Sequence, residues 1–427
     1  MTSSDAPSTS GRPCGCPDFT LSRRRFLAAT AATAGVMTGA QMFGDAFRQV
    51  AYGAAPGGNV VVVLSLRGGA DGLSMVVPRG ADHALLASAR PGIVVPEASL
   101  IGGDTNFGLH PAFAPLLPMW NAGTFGAVQA VGLPAPNRSH FDAMIDVEDA
   151  DPGSSARVGW INRVVGLDAG ARPEDAVQLG SALLPTALVG PAPALGVRQV
   201  SDLTVADVGA AGAVRRQSLA QMWSRDGSMI GNTVRATLAT ADRLAPLVAS
   251  APTEVHTDAY PAGPLQDVLA NTAALIRGDV GTRMVTVDYG NWDMHAGLGS
   301  PGSGWMFNQV TQLAGSLKAF FDDLGTAASR VTVVTISEFG RRVKENGDHG
   351  VDHGYGNAML LLGGGVKGGA VHGQWPHLDL LNDGDLAIKQ DFRSVLWEVL
   401  VSRFPEISGD RATVFPNFVP ETIDAMA

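Results

Sequence analysis

Cysteine is almost absent from this sequence: its 427 residues include only two, Cys14 and Cys16. Both lie in an N-terminal segment that we expect to be removed, so the mature protein is predicted to lack disulfides, thiolate metal sites and cysteine nucleophiles. The sequence also lacks basic clusters beyond its N-terminus and has a net charge of −10, which argues against nucleic acid as a partner. It lacks a later apolar run long enough to cross a bilayer, so we expect no stable membrane span after cleavage.

The N-terminal segment carries an export signature. Residues 22–27, Ser-Arg-Arg-Arg-Phe-Leu, resemble the twin-arginine pattern S-R-R-x-F-L, and an Ala-rich, mildly apolar stretch follows to about residue 40. Small residues at 51–55 offer cleavage positions. We therefore predict that residues 1–55 are a twin-arginine signal peptide and linker, that the twin-arginine export machinery is a partner, and that the mature protein is periplasmic or extracellular. An uncleaved anchor is the alternative, but threonines and glycines interrupt the apolar stretch.

The composition of the remaining chain predicts a large core. The sequence is 45% hydrophobic with a mean hydropathy of +0.13, and its 53 glycines and 26 prolines imply many turns and long loops. Residues 59–66 are almost continuously apolar, as expected of a strand buried on both faces. Further strands are predicted at 125–131, 283–289, 331–336 and 358–362, and helices at 113–120, about 213–248, 265–277, 306–324 and 392–404.

This alternation of strands and helices predicts an α/β fold with a mostly parallel sheet that is covered on both sides. We expect a single domain over residues 56–427. Within it, the Ala-, Val- and Leu-rich segment at about 165–260 is predicted to be an insertion or cap region that shapes a substrate pocket.

Side chains capable of chemistry follow four of the predicted strands. In an open parallel sheet, ligands bind outside the carboxyl ends of the strands. Asp293 and His295 are two residues apart, so an extended backbone would point both side chains to one side, where they could share a metal ion. Neutral imidazole and carboxylate groups suit zinc, manganese or iron. The candidates are Asp71 after the first strand, Ser139 and His140 after the second, Asp293 and His295 after the third, and Glu338 with the later His353 after the fourth.

Each candidate also has an ordinary structural interpretation. Glycines on both sides of His353 allow a close backbone approach to a ligand, but a solvated loop histidine fits the same pattern, and His349 is a weaker candidate in that loop. Ser139 is either a nucleophile at a helix N-terminus or an N-cap. The ordinary interpretation of Asp71 is a cap of the next segment, and that of residues 291–293 is a turn. For Glu338 it is an ion pair with Arg341 or Arg342, and for His110 it is the start of a helix.

Eight motifs together resemble a bacterial family of uncharacterised, twin-arginine-exported proteins that is placed within the alkaline phosphatase and sulfatase superfamily. The likeness covers essentially the whole mature chain, and the order of the motifs is specific. The motifs are Arg67-Gly-Gly-Ala-Asp-Gly-Leu73, Asn137-Arg-Ser-His-Phe141, Gly159-Trp160, Asn291-Trp-Asp-Met-His295, Ser337-Glu-Phe-Gly-Arg341, Asp352-His-Gly354, Val366-Lys-Gly-Gly369 and Asp391-Phe-Arg393.

The resemblance implies an alkaline phosphatase-like, three-layer α/β/α sandwich with a metal site at the strand ends. It places the first-strand Asp at Asp71 and the nucleophile at Ser139, and it assigns one metal to Asp293, His295 and His353. The Asp-His pair of the superfamily falls at Glu338 and Phe339. Because phenylalanine has no lone pair, a second metal would have only oxygen ligands, would borrow His140, or would be absent.

The leading functional hypothesis is an exported, metal-dependent hydrolase of phosphate or sulfate esters. Ser139 would attack a small anionic ester substrate, a divalent metal (zinc, manganese, iron, calcium or magnesium) would polarise an ester oxygen, and Arg138 or Arg341 would clamp the anion. A competing hypothesis is an exported binding or assembly protein with a vestigial hydrolase site, which Phe339 favours. A non-hydrolytic metalloenzyme is a third hypothesis.

Overall fold

The computed structural model describes residues 57–205 and 210–427. The signal peptide and linker predicted for residues 1–55 lie outside this part of the chain. The strands are β1 (Val60–Leu66), β2 (Val76–Pro78), β3 (Phe107–Leu109), β4 (Phe125–Gly132), β5 (Ala176–Leu179), β6 (Leu195–Val197), β7 (Met284–Tyr289), β8 (Val331–Ile336), β9 (Asn357–Gly363), β10 (Val371–His372) and β11 (Gln390–Asp391).

Helices occupy the segments between these strands, and short 3₁₀ turns extend several of them. The α-helices are α1 (Gly72–Met75), α2 (Gly80–Ala89), α3 (Leu117–Asn121), α4 (His140–Asp149), α5 (Trp160–Val165), α6 (Ala210–Trp223), α7 (Met229–Glu254), α8 (Gln266–Arg277), α9 (Trp305–Leu324), α10 (Phe392–Arg403) and α11 (Arg411–Val414). In the described residues, no helix combines the length and the apolar character that a membrane crossing requires.

Within residues 57–205 and 210–427, nine strands form one large sheet in the order β10-β4-β9-β8-β1-β7-β5-β6, with β11 also paired to β4. β1 runs parallel to both β7 and β8, whereas β9 runs antiparallel to its neighbours β4 and β8. The remaining pairs of this sheet are parallel, and β2 and β3 form a separate antiparallel pair. The predicted α/β class with a large, mostly parallel central sheet is therefore confirmed.

The central strand β1 shows why this sheet needs helices on both faces. All seven of its residues are buried, and successive side chains point to opposite faces. Val62 and Leu64 contribute to a core that includes α8 and α9, and Val61 and Val63 contribute to a second core that includes α4, α5 and α10. Burying each such side chain contributes about 1.5–3 kcal/mol, so neither face can be left open to water.

The predicted elements are found within a few residues of their expected bounds, with one correction. The single helix expected at about 213–248 is two helices, α6 and α7. The break lies at Asp226-Gly227-Ser228, where Ser228 caps α7 by accepting a hydrogen bond from the Gly231 N–H at 3.2 Å. Serine before a helix offers this oxygen to free N–H groups, and glycine lowers helix propensity, so both residues favour the break.

The segment at about 165–260 contributes to the central sheet. It supplies β5 and β6, which continue the sheet beyond β7, and it supplies α7, whose residues Leu244 and Leu247 belong to the core beneath that face. Its role as a cap over a substrate pocket stays a prediction.

Candidate metal centre

The loops that carry the candidate residues meet at one edge of the central sheet. β1, β7 and β8 end there because parallel neighbours present their carboxyl ends together. β4 also ends there, because β4 and β8 are both antiparallel to the strand between them, β9. β9 is antiparallel to β8, so it begins at this same edge. The long loop between β8 and β9 therefore returns to the edge where it started and brings His353 back to the residues that follow β7.

Two glycines after β1 let these loops pack closely. Gly68 and Gly69 have φ values of 112° and 64°, which L side chains rarely adopt. A Cβ on Gly68 would lie 2.7 Å from the backbone nitrogen of Asp293, and a Cβ on Gly69 would lie 2.6 Å from the ring of Phe339. A larger residue at either position would push the β7 and β8 loops away from β1.

Three histidines and one carboxylate converge in the space between the loops. The Oδ1 atom of Asp293 lies 3.5 Å from His140 Nε2, 3.0 Å from His295 Nε2 and 3.4 Å from His353 Nε2. The Nε2 atoms of His295 and His353 lie 2.9 Å apart. The ligating atoms of His140, Asp293 and His353 all lie within 4.8 Å of one another.

The outer nitrogen of each imidazole faces an oxygen atom, and this favours one tautomer of each ring without reference to a metal. His353 Nδ1 lies 2.8 Å from the carbonyl oxygen of Arg138, which can only accept a hydrogen bond. His140 Nδ1 lies 2.9 Å from Glu338 Oε1, and His295 Nδ1 lies 3.0 Å from Asp352 Oδ1. With hydrogens on the three Nδ1 atoms, the neutral rings direct three Nε2 lone pairs toward Asp293 Oδ1.

Such a group of acceptors fits a cation. With the rings in these tautomers, the three Nε2 atoms carry no hydrogen, and an ionised Asp293 carries none either. None of these four side chains can therefore donate a hydrogen bond between the lone pairs that face one another. His140 Nε2 is buried and has no hydrogen-bond partner among the described residues, which is costly unless an ion or a proton satisfies it. Two or three imidazoles with one carboxylate suit zinc, manganese or iron better than calcium or magnesium. The side chains of Asp293 and His295 are 47% and 43% exposed, so a solvent molecule or a ligand can reach this position.

The protonation states of the group also favour metal binding. Partial burial alone would raise the pKa of Asp293, but the hydrogen bond and charge of Arg341, together with His295 and His140, lower that pKa below its ordinary value. Burial lowers the pKa of His353, and the charges of Arg341 and the other two histidines lower it further. An ionised carboxylate and a neutral imidazole are the forms that ligate metals.

Arg341 connects the loops that carry the group. Its side chain is fully buried, and it donates to Asp293 Oδ1 at 2.6 Å, to the Gly69 carbonyl at 2.5 Å and to the Val351 carbonyl at 3.0 Å. It also donates to the carbonyls of Gly68 and Trp292. The expected role of Arg341 as an anion clamp stays a prediction, and as a clamp Arg341 would have to leave these acceptors in the three loops.

Arg138 is also committed, although its backbone takes part in the site. Its guanidinium pairs with Asp385, which is buried, and lies 3.4 Å from Asp383. Its carbonyl is the group that orients His353. As a clamp for an anionic ester, Arg138 would have to leave these two carboxylates.

Ser139 is the N-cap of α4. Its Oγ accepts a hydrogen bond from the Asp142 N–H at 3.4 Å, which is the capping role that its position before a helix allowed. Because α4 begins at His140, this cap places the first ligand candidate at the positive end of the helix. His110 is likewise an N-cap, since its Nδ1 accepts from the Ala112 N–H at 3.1 Å.

The structure does not bring Asp71 into the group around Asp293. Asp71 is buried and forms an ion pair with Arg90, which has no exposed side-chain surface. His349 also stays outside: it is exposed and lies 3.6 Å from Glu345. Glu338 is adjacent to the group, where it contacts the outer nitrogen of His140.

Sequence reasoning missed Asp352 and Asn346. Asp352 orients His295, and Asn346 Nδ2 donates to Asp352 Oδ1 at 2.9 Å and to the His295 carbonyl at 2.8 Å. The position of Asp352 directly before His353 was a usable signal, because outer carboxylates commonly orient metal-ligating histidines.

The comparisons with known proteins give a family but no function. The family described as Protein of unknown function (DUF1501) matches residues 114–385, which is more than half of the chain and includes His140, Asp293, His295, Glu338 and His353. The chain therefore belongs to this family. A search of curated proteins finds no match.

Proposed function

We propose that this DUF1501 protein is an exported, metal-dependent hydrolase that acts on phosphate or sulfate esters. The observation that carries the proposal is the convergence of three imidazole Nε2 atoms on Asp293 Oδ1, with each outer nitrogen facing an oxygen acceptor. We assign His140, Asp293 and His353 as the metal ligands, with His295 beside them as a fourth candidate. The cation would be zinc, manganese or iron.

The bound cation would supply a Lewis acid that polarises an ester oxygen. The chain supplies the remaining groups. The N-terminus of α4, next to the centre, presents backbone N–H groups and a positive partial charge to an anionic ester. Asp293 and His295 are open to solvent, which leaves room for that ester to approach.

Ser139 is the proposed nucleophile. Its Oγ would form a bond to the phosphorus or sulfur as the ester bond breaks, and its proton would pass to the departing alcohol oxygen. Water would then cleave the Ser139 ester and regenerate the hydroxyl group while releasing phosphate or sulfate. The support for this role is its place directly before His140 at the start of α4.

The finer fold and the location belong to the same proposal. Helices on both faces of a mostly parallel sheet, with a cation site at the strand ends, are what an alkaline phosphatase-like three-layer sandwich would present. Export by the twin-arginine pathway rests on the signature at residues 22–27. That pathway carries folded proteins, so the ligands would already be assembled when the protein leaves the cytoplasm.

The first test is the metal content of the mature protein after native export, measured by elemental mass spectrometry. We expect bound zinc, manganese or iron, and turnover of a phosphate or sulfate ester by the loaded protein. His353→Ala should lose the metal, whereas His349→Ala, in the same loop but outside the group, should keep it. No metal in the native protein, and none taken up on incubation with these ions, would refute the proposal.

A second candidate function is an exported binding or assembly protein with a vestigial site. It is favoured by Phe339, which offers no ligand, and by Asp71, which is paired with Arg90. Metal binding without turnover of any phosphate or sulfate ester, or a complete lack of metal, would favour this candidate.

A further inference from the structure

We propose that the centre holds one cation per chain, and that the second position of a two-metal site is closed by the protein itself. This inference rests on the proposed function, because it concerns the number of ions at the same centre. In the two-metal arrangement that the family resemblance implies, a second ion would take ligands from Asp71, Glu338 and the residue at 339. In the structure, each of these three residues has a role other than ligating a second ion.

Asp71 is already neutralised by a buried guanidinium. Its Oδ2 accepts from Arg90 Nη1 at 2.5 Å and from Ser74 Oγ at 2.5 Å, and its Oδ1 accepts from Arg90 Nη2 at 3.1 Å. Arg90 is itself fixed by the carbonyls of Val343 and Arg342, both at 2.7 Å. A divalent cation at Asp71 would lie against this fixed positive charge, because Arg90 is fully buried beside the carboxylate.

Glu338 acts on a ligand rather than on a metal. It is buried, and its Oε1 accepts from His140 Nδ1 at 2.9 Å and from the Gly68 N–H at 2.8 Å. Its Oε2 lies 3.1 Å from Ser337 Oγ. A carboxylate that receives the outer N–H of an imidazole fixes the tautomer and orientation of that ring. We therefore assign Glu338 as the positioning residue of His140.

Phe339 fills the remaining space with hydrocarbon. Its ring is buried and packs against both His140 and His353, with centroid separations of 4.8 Å and 4.7 Å. Its edge also occupies the space beside Gly69, where a Cβ would lie 2.6 Å from the ring. Neither a ligand atom nor a water molecule can take that volume while the ring stays in place.

A one-ion centre changes the chemistry that the protein can offer. Two-metal sites stabilise both the entering and the leaving oxygens of a displacement. With a single ion, one of these oxygens must depend on the groups of the chain, and the N-terminus of α4 is the positive group adjacent to the centre. Substrates with a good leaving group should therefore be turned over in preference to simple alkyl esters.

The test is the molar ratio of tightly bound ion to full-length mature protein, measured separately with Zn²⁺, Mn²⁺ and Fe²⁺ by calorimetric titration and elemental mass spectrometry. One equivalent supports the inference. Two equivalents would overturn it while leaving the proposed metal-dependent function intact. No binding of Zn²⁺, Mn²⁺ or Fe²⁺ would refute the proposed function itself, so the two failures are distinguishable.

Glu338→Gln tests the assignment of the positioning residue. The glutamine amide oxygen still accepts a hydrogen bond from His140 Nδ1–H, but it has no negative charge. We therefore expect the affinity for Zn²⁺ to fall by about 10- to 100-fold while the molar ratio of ion to protein stays at one. When Co²⁺ is bound in place of Zn²⁺, the visible spectrum of the variant should differ from that of the wild type. Glu174→Gln, a buried acid paired with Arg243 away from the centre, is the matched control and should alter neither property.

Two outcomes of this variant would contradict the assignment. A drop in the ratio from two equivalents to one would make Glu338 a ligand of a second ion. An unchanged affinity and spectrum would mean that Glu338 has no influence on His140. If Glu338→Gln does not fold, Phe339→Leu keeps the inference testable, since an apolar residue should preserve one equivalent.

Discussion

The most decisive single substitution is Asp71→Asn, because it separates a structural carboxylate from a metal ligand. Arg90 and Asp71 have side-chain exposures of 0% and 2%. Replacing the carboxylate with an amide leaves a fully buried guanidinium without its counter-charge. Breaking a buried ion pair in this way costs about 3–5 kcal/mol, which is a large fraction of the roughly 5–15 kcal/mol that stabilises an ordinary domain.

Urea denaturation followed by tryptophan fluorescence measures this loss. The experiment should be done in the presence of a chelator, because a bound ion adds its own stabilisation to the folded state. Arg90→Met and the double variant complete a double-mutant cycle, in which the double variant should lose less free energy than the two single losses combined. Asp142→Asn, an exposed acid at the start of α4, serves as the control and should change stability little.

The affinity of folded Asp71→Asn for Zn²⁺ is the second half of this prediction. Because Asp71 is engaged by Arg90 and Ser74, we expect the affinity to remain within about threefold of the wild type, a change of under 1 kcal/mol. The opposite result is a loss of stability of less than about 1 kcal/mol together with a tenfold or larger fall in Zn²⁺ affinity. That pattern would show Asp71 to be a ligand.

Three further predictions test the cap, the buried histidine and the ion. Ser139→Ala should lower the free energy of unfolding by about 0.5–1 kcal/mol through loss of the α4 N-cap and should abolish turnover with Zn²⁺ affinity retained; full turnover would reject the nucleophile. Burial lowers the pKa of His110 to about 4, so the unfolded chain binds more protons between this value and about 6.5, and stability should fall by about 3 kcal/mol as the pH falls through that window. His110→Asn keeps a capping oxygen and should flatten this pH dependence; an equally steep profile would assign it to other groups. Removing the ion with a chelator should lower the melting temperature. Adding Zn²⁺ back to about 100 times its Kd should raise the free energy of unfolding by about 2.7 kcal/mol. No change in either quantity would mean that the folded state binds no ion.

The strands are predictable because their signal is local. β8 is expected at residues 331–336 and is found there, since a continuous run of buried β-branched residues has little other use. The direction of β9 is not readable from the sequence, because an apolar run looks the same whichever way the chain passes through the sheet. That direction matters, since it returns the loop with His353 to the edge where Asp293 lies.

The sequence predicts several members of the candidate site but not the role of each residue. Asp293, His295 and His353 are expected to come together from their places at strand ends, and the structure brings them together. The role of Asp71 depends on Arg90, which lies at the end of α2. The sequence near Asp71 contains no pattern that indicates this ion pair. Whether an acid at a strand end binds a metal or a neighbouring cation is decided by such distant contacts.

Arg341 shows why the order of loops matters more than any single ligand. One buried guanidinium contacts the loop after β1 at Gly68 and Gly69, the loop after β7 at Trp292 and Asp293, and its own loop at Val351. These contacts hold three loops in fixed positions, and two of those loops carry Asp293, His295 and His353. A centre organised in this way does not have to order its ligands on binding, and that saved conformational cost appears as affinity. Arg341→Lys should therefore weaken Zn²⁺ binding although Arg341 is not a ligand, because a lysine ammonium cannot reach three loops with a planar set of donors. Wild-type affinity in that variant, measured by calorimetry, would show that the ligands hold their places without it.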